Sequence, residues 1–184
     1  AGTDMGGGPL NESIILSFTE YFNKIKGITG DTATTEPGVY YRDFEKELAP
    51  PDLLLPPYTS SKRLNTVGGM VANNSGGEKS LEYGKAENYV TSMNMVLADG
   101  NEYTIRPLTE DQLKKKMQQK TFEGQIYKKL YKLITDNYDL IKEAKPAVSK
   151  NAAGYYLWNV YDREKDIFDL TKNLLFWLKL KFCL

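Results

Sequence analysis

The residues best suited to chemistry in this 184-residue chain are backbone amides rather than side chains. Residues 64–84 read LNTVGGMVANNSGGEKSLEYG, with Gly68, Gly69, Gly76 and Gly77 inside ten residues and Asn73 and Asn74 between the two pairs. Glycine reaches positive φ without a Cβ penalty, and asparagine tolerates the left-handed region better than most residues. A segment built this way can turn its N–H groups inward. Concave arrays of amides bind anions, phosphates above all, and the lack of side chains lets a ligand approach the main chain closely. A second run, AGTDMGGGPL, occupies residues 1–10. A Gly-rich surface turn would carry the same residues, so spacing alone leaves both readings open.

Side-chain chemistry is bounded by what the composition lacks. The chain has no histidine, which removes Ser-His-Asp and Cys-His catalysis, imidazole metal sites and the usual general base near neutral pH. Its one cysteine, Cys183, allows neither a disulfide framework nor a cysteine metal site. No catalytic residue and no metal ligand is therefore assigned. An enzyme of this composition needs a cofactor to carry the chemistry, or a base from residues outside the chain. Twenty-four basic residues balance twenty-four acidic ones without a long run of either sign, which argues against nucleic acid or an anionic membrane as the main partner. No apolar stretch approaches the length of a membrane span and no leader pattern opens the chain, so the expected setting is soluble and cytoplasmic.

The elements that must position the Gly-rich segments follow from pattern. At 41% hydrophobic content the chain can bury the core of one ordinary domain. ESIILSF, with Ile14 and Ile15, reads as a short buried strand, and TEYFNKI as a helical turn after it. Pro37-Gly38 marks a turn, residues 40–48 a short helix, and APPDLLLPPYTSS an extended connector. Met93, Met95 and Leu97, the Asp99-Gly100 turn, then Tyr103 and Ile105 form a hairpin signal. Thr109 and Gln112 are spaced as a capping box. Phe122, Ile126, Leu130, Leu133, Ile134 and Ile141 recur at helical spacing before Pro146, the pattern of a core-facing stripe. Gly154 precedes an aromatic cluster of Tyr155, Tyr156 and Trp158 that reads as a helix end packed into a core. The closing NLLFWLKLKFCL is apolar with only Lys179 and Lys181 as gatekeepers, so self-association is expected.

Taken in order, these segments resemble the FAD-binding domain of the FAD-linked oxidase family, the vanillyl-alcohol oxidase (PCMH) type. Within it they are closest in pattern to the D-lactate dehydrogenase and glycolate oxidase FAD-subunit branch. AGTDMGGGPL resembles the tail of the first family loop, EPGV a recurring turn, TVGGMVANNSGG the second loop, SLEYGKAENYV and VLADG the segments after it, and KNAAGYYL a stretch near the flavin.

The resemblance implies an α+β fold with a mixed or antiparallel sheet flanked by helices. It implies FAD as cofactor, its pyrophosphate held by loop amides of Gly2, Thr3, Asp4, Met5, Gly6 and Gly7 and of Thr66, Gly68, Gly69, Asn73, Ser75, Gly76 and Gly77. Tyr83 and Gly84 would shape the loop exit, and Lys150 and Tyr155 would lie near the isoalloxazine. Residues 1–171 would be a partial domain without its N-terminal subdomain, and 172–184 a tail with no family counterpart, as in a fragment from a broken or frame-shifted reading frame. The parent protein would oxidise a 2-hydroxy acid such as D-lactate or glycolate by hydride transfer to the flavin. A flavin- or nucleotide-binding module without turnover, and an inactive remnant, are the competing expectations.

Overall fold

The computed structural model describes residues 10, 12–148, 151 and 155–172. The first Gly-rich run, Lys150, Gly154 and the tail from 173 onward lie outside the described residues. The chain divides into two units, Ala1–Tyr89 and Val90–Leu184. Secondary structure is α+β, and every strand pair among the described residues is antiparallel.

In the first unit, β1 (Ile25–Thr29) and β2 (Thr32–Thr35) form a hairpin whose two-residue turn places Gly30 at φ 59°. Its weak alternation of isoleucines with threonines escapes the pattern reading. The Pro37-Gly38 turn then leads into α1 (Tyr41–Leu48). Tyr41, Phe44 and Leu48 recur at helical spacing and are buried with Val39, Tyr58, Val67 and Met70. Burying each such side chain contributes about 1.5–3 kcal/mol, which outweighs the modest length of the helix. The connector over residues 49–61 contains no helix or strand, as expected, and is tied down where the Tyr41 hydroxyl donates to the Leu55 carbonyl at 2.9 Å. Burial pushes the Tyr41 phenol far up from its usual range.

The expected strand over ESIILSF is not formed. No described strand pairs with it, and Ile14, Ile15 and Leu16 are 91%, 55% and 62% exposed. A run that is apolar on both faces needs cover on both, and a strand needs a neighbour to take its amides. Ile14, Ile15 and Leu16 lack that cover, while Phe18 at the end of the run is half-buried, its carbonyl accepting from the Phe22 N–H at 3.0 Å.

The second unit contains α+β structure of its own. The hairpin of β3 (Met93–Val96) and β4 (Glu102–Ile105) pairs in the expected register, Met95 opposite Tyr103, with Gly100 at φ 80°. Asp99 accepts from the Asn101 side chain at 2.8 Å and from the Tyr103 hydroxyl at 2.7 Å. After β5 (Leu108–Thr109), α4 (Glu110–Gln118) opens on the capping pair, Gln112 Oε1 accepting from the Thr109 N–H at 3.3 Å. Then come α5 (Phe122–Asp136), capped by Thr121 Oγ1 at 3.1 Å from the Gly124 N–H, and α6 (Tyr138–Glu143). Two short strands, β6 (Tyr161–Asp162) and β7 (Ile167–Phe168), complete a three-stranded sheet in the order β5-β7-β6.

The helical stripe read from sequence is only partly core. Ile134 is buried, whereas Phe122 and Leu133 are exposed, and Tyr127 takes the central place against Phe168 with ring centroids 6.1 Å apart. Gly124 sets that rotation: a Cβ there would collide with the Gln119 carbonyl oxygen, so the first turn of α5 turns this glycine and Glu123 inward. Of the aromatic cluster, Tyr156 is buried and Tyr155 is exposed, and a 3-10 turn over Leu157–Asn159 stands where a helix end was expected.

Candidate cofactor-binding site

The second Gly-rich segment folds as a short helix, α2 (Val67–Ala72), then a loop, then α3 (Ser80–Tyr83) and a 3-10 turn over Ala86–Asn88. Thr66 caps α2, its Oγ1 accepting from the Gly69 N–H at 3.2 Å. Two main-chain bonds clamp the start of the helix to the turn before α1. Val67 N–H donates to Val39 at 2.8 Å and Gly68 N–H donates to Pro37 at 2.9 Å. The loop closes when Ser75 N–H donates to Met70 and the Ser75 carbonyl accepts from Ala86, both at 2.9 Å.

This geometry changes the role of the glycines. Positive φ falls on Asn74 (43°) and Gly84 (78°) rather than on the two glycine pairs. Gly68, Gly76 and Gly77 are instead places of close approach. A Cβ on Gly68 would lie 2.5 Å from Pro37 Cβ, one on Gly76 2.5 Å from Ser80 Oγ, and one on Gly77 would overlap the Tyr58 carbonyl oxygen. Of the amides expected to turn toward an anion, those of Gly68, Gly69, Asn73, Ser75 and Gly77 are donated within the unit, to the Pro37 carbonyl, Thr66 Oγ1, the Gly69 carbonyl, the Met70 carbonyl and Ser80 Oγ. Buried N–H groups must find acceptors, and here neighbouring carbonyls and hydroxyls supply them.

Gly69 differs from the other three. It is exposed, and its missing Cβ would meet only Thr66 Oγ1 at 3.2 Å. A Cβ there would press only on the capping Thr66 hydroxyl, a milder clash than at the other three, although a glycine inside a helix costs about 1 kcal/mol relative to alanine. Thr66, Gly69 and Asn73 share one face at i, i+3 and i+7, and Gly69 and Asn73 are its exposed members. The result is a bare strip of helix backbone beside an amide side chain, a surface that a flat or extended polar group can approach to main-chain distance.

The remaining predicted residues divide similarly. Ser75 is buried, whereas Tyr83 is exposed at the loop exit, where Glu82 beside it pushes its phenol up. Gly76 and Gly77 are half-buried. Tyr155 is exposed in the second unit. Gly2, Thr3, Asp4, Met5, Gly6, Gly7 and Lys150 fall outside the described residues. Three residues that hold the segment escaped the sequence reading. Asn74 accepts from the buried Glu87 N–H at 3.0 Å while sitting in the left-handed region, and Pro37 and Tyr58 receive the glycines. The Tyr58 hydroxyl donates to Glu78 at 2.7 Å, a bond that pushes the phenol up. The Asn-Asn pair at the end of a helix is the one signal that could have marked Asn74.

A cleft of about 660 Å³ also lies in this unit, lined in part by Thr19, Asn23, Tyr40, Asp43 and Glu47. None of the predicted site residues lines it. Among the described residues no helix is long and apolar enough to cross a membrane.

A family model described as an FAD binding domain matches residues 1–106. The chain is 30% identical over 175 residues to a D-2-hydroxyglutarate dehydrogenase of Pantoea ananatis, an alignment covering 94% of this chain and 17% of that protein. It is 36% identical over 105 residues to the glycolate oxidase subunit GlcD of Bacillus subtilis, covering 55% of this chain and 22% of the relative. It is 38% identical over 103 residues to a D-lactate dehydrogenase of Archaeoglobus fulgidus, covering 54% and 23%. The chain thus spans about a fifth of the length of these curated relatives. No solved structure matches it.

Proposed function

The chain belongs to the FAD binding domain family, and from that premise we propose that it is the cofactor-holding part of a flavin-dependent oxidoreductase acting on a 2-hydroxy acid. The observation that carries this reading is the bare, exposed Gly69–Asn73 face of α2, held in place by the clamp to Pro37 and Val39. The names of the relatives support the substrate class, since each acts on a small 2-hydroxy acid or its salt by its printed description.

In this reading Gly69 admits the cofactor to main-chain distance and Asn73 offers its side-chain amide to the pyrophosphate. Thr66 orients the first turn, and Gly76, Gly77 and Tyr83 border the same loop. Gly68 and Ser75 act through the fold, by keeping α2 against the Pro37 turn and closing the loop. The first Gly-rich run, residues 2–7, is assigned further pyrophosphate-binding amides by its resemblance to the family's first loop. FAD, when bound, supplies the two-electron redox chemistry, which agrees with a chain that has no histidine to act as base. Substrate positioning and exclusion of water require walls around the flavin, and the chain spans only about a fifth of its relatives' length, so the isolated 184 residues are expected to be inactive toward D-lactate, glycolate or D-2-hydroxyglutarate.

The test is FAD retention. Gly69→Val should lower FAD retention strongly, measured by flavin absorbance of the purified protein and by titration with FAD, while far-UV circular dichroism stays unchanged. Flavin affinity equal to wild type in a folded Gly69→Val variant would remove Gly69 from the site. Wild-type protein that ignores added FAD would favour an inactive remnant.

A further inference from the structure

Tyr58 meets the loop after α2 at two successive residues. Its carbonyl oxygen fills the space that a Cβ on Gly77 would need, and its hydroxyl donates to Glu78 at 2.7 Å. The ring between these two contacts is itself fixed. It is buried in the core of the first unit beside Tyr41, with ring centroids 5.7 Å apart. The Lys62 ammonium lies 4.6 Å from the centroid of the Tyr58 ring and is held there by Glu45 at 2.9 Å.

The loop has few other restraints. Ser75 is tied on both sides, to Met70 and to Ala86. After it the bonds are local: Gly77 N–H donates to Ser80 Oγ, Ser80 N–H to the Gly77 carbonyl, the Glu82 and Tyr83 N–H groups to the Lys79 carbonyl, and Gly84 N–H to the Ser80 carbonyl. Among the described residues, the bond from Tyr58 is the one hydrogen bond that joins residues 76–82 to a part of the chain outside that stretch and its immediate flanks. Glu78 is exposed, so losing this bond returns its carboxylate to water and strands no buried charge. The bond therefore acts less on the stability of the unit than on the order of the loop.

We propose, resting on the reading of this loop as part of the flavin site, that Tyr58 is a positioning residue for the cofactor, its bond to Glu78 fixing residues 76–79 in their binding conformation before FAD arrives. A segment already ordered in the free protein gives up less conformational freedom on binding, and affinity rises accordingly. Phenylalanine would fill the same place beside Tyr41. Only the hydroxyl reaches the loop.

The test uses the 184-residue chain, titrated with FAD and followed by flavin fluorescence, with amide exchange and thermal unfolding of the flavin-free protein alongside. Tyr58→Phe should weaken FAD binding by about three- to tenfold, the scale of one hydrogen bond, and speed exchange of residues 76–82. Exchange of residues 67–72 and the Tm should stay near wild type, which a purely structural role would not allow. Glu78→Ala should match Tyr58→Phe, and the two combined should weaken binding no further, as expected of partners in a single bond. Glu78→Gln keeps an acceptor for the hydroxyl and should bind FAD at least as tightly as wild type. If wild type binds FAD and Tyr58→Phe binds it equally well, the positioning role is overturned while the flavin reading stands. Additive losses in the double variant, or a lowered Tm with faster exchange throughout the first unit, would also overturn it by assigning Tyr58 to the core alone. Wild-type protein that ignores added FAD would remove the flavin reading, and this role with it.

Discussion

Adjacent glycines in α2 should respond to the same substitution with opposite signs. Alanine at Gly68 places a methyl group 2.5 Å from Pro37 Cβ, 2.7 Å from the Pro37 carbonyl oxygen and 2.8 Å from Pro37 Cα. Carbon atoms rest about 3.5–4.0 Å apart, so α2 and the Pro37 turn must separate by roughly 1 Å. The bonds from Gly68 to Pro37 and from Val67 to Val39 lie on that seam and lengthen with it. Overpacking costs about 1–3 kcal/mol and a weakened hydrogen bond about 0.5–1.5 kcal/mol, against a helix-propensity gain of about 1 kcal/mol. The net is a destabilisation of about 1–3 kcal/mol, each kcal/mol lowering Tm by about 4–8 °C in a unit of this size. Alanine at Gly69 meets only Thr66 Oγ1 at 3.2 Å, so most of the propensity gain survives and Tm should stay level or rise. Thermal unfolding followed by circular dichroism, with amide exchange of residues 67–72 as the local reporter, measures both. A Gly68→Ala variant as stable as wild type, or a Gly69→Ala variant more damaged than Gly68→Ala, would refute the close-approach argument.

Three further outcomes are expected. Asn74→Ala strands the buried Glu87 N–H, whose acceptor is 3.0 Å away, and forces alanine to φ 43°; a loss of about 1–3 kcal/mol should appear in urea unfolding, with Asn74→Asp milder than Asn74→Ala. Lys116 and Glu123 are paired at 2.7 Å with the Glu123 side chain 5% exposed, and its Oε1 is buried without a hydrogen-bond partner. Lys116→Met should therefore cost about 3–5 kcal/mol by leaving a buried charge, the double change to Met at both positions should cost less than either single one, and a strictly additive thermodynamic cycle would contradict this. The Asn101 side chain, then the Tyr103 hydroxyl, hold the Asp99 carboxyl below the usual carboxylate range. Its contribution is thus complete above the unfolded value and is lost as pH falls through the lower folded value. NMR titration should find Asp99 below an ordinary aspartate, and replacing Tyr103 by Phe should move it back up.

Some of this protein is written in local chemistry and can be read without coordinates. The Asp99-Gly100 hairpin, the Thr109/Gln112 start of α4 and the short helix before the proline-rich connector each depend on residues a few positions apart, where turn geometry, capping and periodicity act directly. The order of the Gly-rich and aromatic segments was likewise enough to identify the family. What each glycine does depends on contacts distant in sequence. Whether Gly68 and Gly77 need bare backbone for φ or for room is set by Pro37 and by the Tyr58 carbonyl, 31 and 19 residues away along the chain. The choice of which apolar stripe of α5 is buried belongs to the same class, because Phe122 and Leu133 have the right periodicity while the contact of Gly124 with the Gln119 carbonyl turns Tyr127 and Ile134 inward instead. Periodicity states that a helix has an apolar face, but only packing against a particular neighbour selects between two such faces.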